Sequence, residues 1–98
     1  MKNTYRYASV SIALEELAQM GFVYDYNLHE DTIVNEPTDL EIIHIYRYEG
    51  NSNPADESVV YGIQSKDGTK GVFVAGFAAN SISAATIALI AIEIKGRN

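Results

Sequence analysis

The sequence contains no cysteine and no tryptophan. Without cysteine there are no disulfides, no thiol catalysis and no thiolate zinc site. Basic charge is sparse. The seven Lys and Arg residues (Lys2, Arg6, Arg47, Lys66, Lys70, Lys95, Arg97) are scattered along a chain of net charge −6. They form no stripe that would neutralise phosphates, so neither a nucleic acid nor an anionic membrane surface is an expected partner. The longest apolar run, AATIALIAI at 84–92, is far too short to span a bilayer. The opening MKNTYRYASV has no apolar core of the signal-peptide kind, and no Asn-x-Ser/Thr sequon occurs. The cytoplasm is the expected compartment.

Catalytic motifs are missing as well. GTKG at 68–71 has the wrong spacing for a phosphate-binding glycine loop, and there is no Gly-x-Ser-x-Gly elbow. We expect no catalytic residue, no metal site and no cofactor, and the balance leans away from an enzyme. HED at 29–31 groups three potential ligands, but adjacent residues in a turn do not converge on one ion, so it reads as a solvated turn. His44, between isoleucines, reads as a sheet-face histidine before it reads as a general base.

The 98 residues, 47% hydrophobic, suit a single domain over 1–98. A chain of this size buries roughly 60–65% of its extended surface, enough for one small core. Val10, Leu14, Leu17 and Gly21 recur at helical spacing, with Ser9 placed to cap the start and Gly21 to end it. The period then changes to two. FVYDYNL (22–28) alternates as a half-buried strand, 29–31 reads as a turn, 32–34 as a short returning strand and 38–40 as one helical turn. EIIHIYRY (41–48) is the next strand. Strict alternation puts Ile43, Ile45 and Arg47 on one side and Ile42, His44, Tyr46 and Tyr48 on the other. SVVYGIQSKDGTKGVFVAGF (58–77) is a hairpin turning at Asp67-Gly68. Residues 82–95 carry both isoleucines, which favour strand, and alanines, which favour helix. Helix is the stronger reading, with Asn80, Ser81 or Ser83 as its cap. Its apolar residues cover more than one face, so it must also bury surface in the core or against another chain. The fold class is therefore α+β. We expect an N-terminal helix, a mainly antiparallel meander of about four or five strands and a C-terminal helix, with both helices on one face of the sheet.

Two regions are candidate sites. The first is the polar loop EGNSNPADE (49–57) with its flanking strand. Glu49, Asn53, Asp56 and Glu57 supply oxygens beside Tyr46 and Tyr48, and such a loop on a rigid sheet suits a small ligand or a hard cation. The plainer reading is a turn with a cap, just as the strand tyrosines read first as cross-strand pairs. The second is the C-terminal segment, where Ile87, Ile90 and Ile94 are the candidate interface for a homo-oligomer or another protein.

The stretches YDYNL (24–28), YRYEGNSNPADESVVYGI (46–63) and DGTKG (67–71) resemble a family of small α+β proteins without an assigned role. Some of its members carry the label phosphoribosylpyrophosphate synthetase. The chain has neither the glycine- and acid-rich ribose-phosphate loop nor the ATP-binding His and Arg positions of that enzyme, so the resemblance implies no catalytic residue here. Three functional expectations follow, in order: a non-catalytic, self-associating interaction module; a small-ligand or metal-binding domain built on 49–57; and an enzyme of nucleotide or sugar-phosphate metabolism.

Overall fold

The computed structural model describes residues 4–7, 9–48, 58–76 and 83–96. A four-residue strand, β1 (Thr4–Tyr7), opens the chain, followed by helix α1 (Val10–Gln19). Both ends of α1 follow from the sequence. The Ser9 hydroxyl accepts from the Ile12 N–H at 3.4 Å. At the other end Gly21 has φ +93, the Phe22 N–H reaches the Leu17 carbonyl at 2.9 Å and the Gly21 N–H reaches Ala18 at 3.1 Å. That pairing satisfies two carbonyls the helix leaves open, and the positive φ suits glycine.

The next stretch departs from the expected alternation. Only Tyr24–Asp25 forms a strand, β2, before a 3-10 turn over Tyr26–Leu28. The expected turn and returning strand at 29–34 are instead a helix, α2 (Glu30–Asn35). Glu30 and Asp31 sit in its first turn, where carboxylates favour the helix dipole, and Ile33 is fully buried. Packing of Ile33 outweighs the strand preference of Thr32, Ile33 and Val34. A second 3-10 turn, Pro37–Asp39, leads into β3 (Leu40–Tyr48).

Strands β4 (Ser58–Ser65) and β5 (Lys70–Gly76) form the expected hairpin. The Gly68 N–H donates to the Ser65 carbonyl at 3.0 Å, the Ser65 N–H donates to Thr69 at 2.9 Å, and Gly68 has φ +94. This is a three-residue loop whose last position is left-handed, which is why glycine stands there.

The sheet is mixed, with order β1-β3-β4-β5-β2. β3, β4 and β5 form the antiparallel centre, and β1 and β2 add parallel edges against β3 and β5. The expected antiparallel meander therefore holds only for the middle of the sheet. The reason is connectivity: a parallel neighbour needs a crossover, and α1 lies between β1 and the rest of the sheet. β2 covers only Gly71 and Val72 of β5. Past it, the Asn27 side chain takes over. Its Nδ2 donates to the Val74 carbonyl at 3.0 Å and its Oδ1 accepts from the Val74 N–H at 2.8 Å.

Strand β3 does not alternate strictly either. Ile42 pairs with Ile63 but His44 pairs with Gly62, so Ile43 is an extra residue in a β-bulge. The bulge puts Ile42 and Ile45 on one face, packed in one core cluster. Ile43 and Tyr46 pack in the other cluster, where His44 meets Phe22 edge to face at 5.4 Å. This corrects the face assignment of 42 and 43, which assumed an unbroken period of two.

The helices are not on one face. α1 covers one side, packing Ala13 and Leu17 with Phe22, Tyr46 and Val60. The last helix, α3 (Ala84–Gly96), lies with α2 on the other side, over Ile45, Val59, Tyr61, Ile63 and Phe73. Val59 to Ile63 of β4 are all buried, as a strand covered on both faces requires. Among the described residues no helix is long and apolar enough to cross a membrane.

Candidate functional site

The open choice in the C-terminal segment resolves to a helix over Ala84–Gly96. The Ser83 hydroxyl accepts from the Thr86 N–H at 3.2 Å and the Ser83 carbonyl accepts from Ile87 at 3.1 Å, which together start α3. The 3.6-residue period then sorts its residues into two stripes. Ala85, Thr86, Leu89 and Glu93 face inward and are buried, with Ala88 and Ile92 packed beside them. Ala84, Ile87, Ala91 and Ile94 face outward, with Ile87 61% and Ile94 58% exposed. Ile90 lies half-buried next to them.

Helix α3 is therefore apolar all round. A threonine and a glutamate are inside and two isoleucines are outside. The inward polar groups have partners. The Tyr61 hydroxyl donates to Glu93 Oε1 at 3.2 Å, and the Ser83 and Thr86 hydroxyls lie 3.2 Å apart. A buried carboxylate is tolerated only when hydrogen-bonded, and Tyr61, itself 1% exposed, supplies a donor from the sheet.

Of the other sequence-selected residues, Tyr46 lies beneath α1, 1% exposed, and its hydroxyl donates to Glu16 Oε1 at 3.1 Å. Tyr48 closes β3. Glu49, Asn53, Asp56 and Glu57 lie outside the described residues.

A feature not singled out from sequence is a cleft of about 320 Å³ where α2 and the 3-10 turns meet the β4–β5 turn. Tyr24, Tyr26, Thr32, Ser65 and Thr69 bring hydroxyl-bearing side chains to it, and Glu36, Asp39 and Asp67 bring carboxylates. Its single cation, Lys66, lies 3.6 Å from Asp39. The Asp67 carboxyl is held down to about 2, first by the Ser65 hydroxyl and then by the Thr69 N–H at 2.9 Å. Burial raises the Tyr26 phenol above its ordinary value. These groups come from three separate segments, so no local pattern announces them. Among the described residues no three His, Cys, Asp or Glu side chains lie close enough to share a metal ion. Three carboxylates against one paired ammonium make the cleft unfavourable for phosphates.

No family model, no curated protein and no solved structure matches the chain.

Proposed function

We propose that the protein is a non-catalytic interaction module whose docking surface is the outward stripe of α3. One observation carries this reading: α3 turns Thr86 and Glu93 into the core while Ile87 and Ile94 stand in solvent. A helix rotated to bury its isoleucines would gain apolar contact on folding. This one leaves that contact to be made on association, and fully covering a single isoleucine contributes about 1.5–3 kcal/mol. Scattered surface hydrophobics need no explanation, but an aligned row on one helix face does. The sugar-phosphate enzyme reading has less support, because the described cleft is acidic.

The reading is tested by the double substitution Ile87→Glu with Ile94→Glu, at a concentration low enough to keep chains apart. Cooperative thermal unfolding should persist with its midpoint within a few degrees of the parent, and binding of an apolar dye should fall. Loss of the cooperative transition would place the stripe inside the chain and end the reading.

A further inference from the structure

We infer that the occupant of the α3 stripe is α3 of a second copy, lying antiparallel across a two-fold axis near residue 89. This deepens the interaction reading and rests on it.

The warrant is the order of side chains along the stripe. Ala84, Ile87, Ala91 and Ile94 follow one another at spacings of three, four and three, the seam of a two-helix packing. Large and small side chains alternate. Two copies laid antiparallel about residue 89 bring Ala84 of one opposite Ile94 of the other, and Ile87 opposite Ala91. Each isoleucine meets an alanine, and each alanine leaves room for an isoleucine. A parallel pair would set isoleucine on isoleucine and alanine on alanine, so its layers would alternate wide and narrow, whereas the antiparallel pair makes every layer the same size. The stripe is thus complementary to its own rotated image, as a two-fold interface must be.

Net charge opposes the pairing, but not within the seam. Each copy carries −6, and two copies repel. None of the four stripe residues is ionisable, so the contact itself adds no like-charge pair. Added salt screens the remaining repulsion and should strengthen the pairing, the opposite of an ion-paired interface. Size sets the strength. A 13-residue helix is about 20 Å long, and one such pair falls below the roughly 1,200 Å² of a stable interface. The dimer is therefore a concentration-dependent one.

The experiment uses the full chain. Sedimentation equilibrium over a wide concentration range should show the mass rising from one chain toward two. The Ile87→Glu/Ile94→Glu variant should associate at least about thirtyfold more weakly, as when anchor residues are lost from an interface centre. Because the chain has no cysteine, Ile87→Cys and Ala91→Cys chains can be mixed and oxidised without background. The antiparallel pairing predicts that the mixed 87–91 disulfide dominates over 87–87 and 91–91. A dominant 87–87 product overturns it. A parent chain that stays single at every concentration, beside a double-glutamate variant that still folds, also overturns it and assigns the free stripe to another protein. An unfolded double-glutamate variant removes both this inference and the interaction reading.

Discussion

The two faces of the sheet use the same parts and finish differently. Each has a central tyrosine whose hydroxyl donates to a glutamate of the covering helix: Tyr46 to Glu16 under α1, and Tyr61 to Glu93 under α3. Each also has a glycine where something comes close. A Cβ on Gly62 would lie 2.8 Å from the Leu17 side chain, and one on Gly71 would lie 2.5 Å from the Tyr24 carbonyl. The difference is in the helices. α1 keeps Ala13 and Leu17 inside and leaves Glu15 and Gln19 exposed, with Glu16 at the border. α3 buries its glutamate fully and shows isoleucine to solvent. α1 also leaves Ile12 50% exposed, but beside charged and polar neighbours rather than in a row, whereas on α3 the exposed isoleucines align with exposed alanines and no charge between them. That row on α3 is the feature on which the proposed interaction role rests.

The largest test contrasts two positions on α3. Leu89→Ala should cost about 2–5 kcal/mol by opening a cavity, whereas Ile87→Ala should change monomer stability by less than about 0.5 kcal/mol. Urea unfolding of dilute protein measures both, and equal losses would erase the distinction between the stripes. Next come the glycines. Gly71→Ala should cost about 3 kcal/mol, because a backbone carbonyl and the Tyr26 ring cannot move aside. Gly62→Ala should cost about 1–2 kcal/mol, since the end of the Leu17 side chain can turn away. Denaturation midpoints in the reverse order would show that the α1 face is the tighter one. The smallest contrast is between the tyrosines. Tyr61→Phe removes a donor from a fully buried carboxylate and should cost about 1–3 kcal/mol. Tyr46→Phe should cost no more than about 1 kcal/mol, because Glu16 is half-exposed and water can replace the phenol. Similar values for the two would mean that Glu93 is as wet as Glu16.

Much of this was legible in the sequence. Both ends of α1, the Asp67-Gly68 turn and a helical turn near 38–40, which falls at Pro37–Asp39, depend on local chemistry, and local chemistry is what a sequence displays. The burial of 59–63 on both faces was not legible, because alternation of Val59, Tyr61 and Ile63 suits a single covered face. The bulge at Ile43 was not legible, because it is visible only against the partner strand. β1 was missed because four residues with a parallel partner far along the chain leave no periodic trace. α2 ran against its own β-branched composition. For α3 a helical wheel gives the two stripes but not their orientation. Hydropathy alone would turn the isoleucines inward, whereas the Tyr61 hydroxyl on the sheet below gives Glu93 a donor. Ile87, Ile90 and Ile94 were identifiable as surplus apolar residues, while the acidic cleft, assembled from three segments, was not.

Asn27 has a consequence for how these molecules can meet. Strand edges are growth points: an uncapped one accepts a further strand, then another, as a ribbon lengthens. After β2 ends, the Asn27 amide supplies a donor and an acceptor to Val74, as the backbone of a neighbouring chain would. Along that stretch β5 behaves like the capped end of a polymer, its next bond already taken by a group that offers no template for another. Here a side chain serves as a stopper, a brake on endless stacking at the cost of one residue.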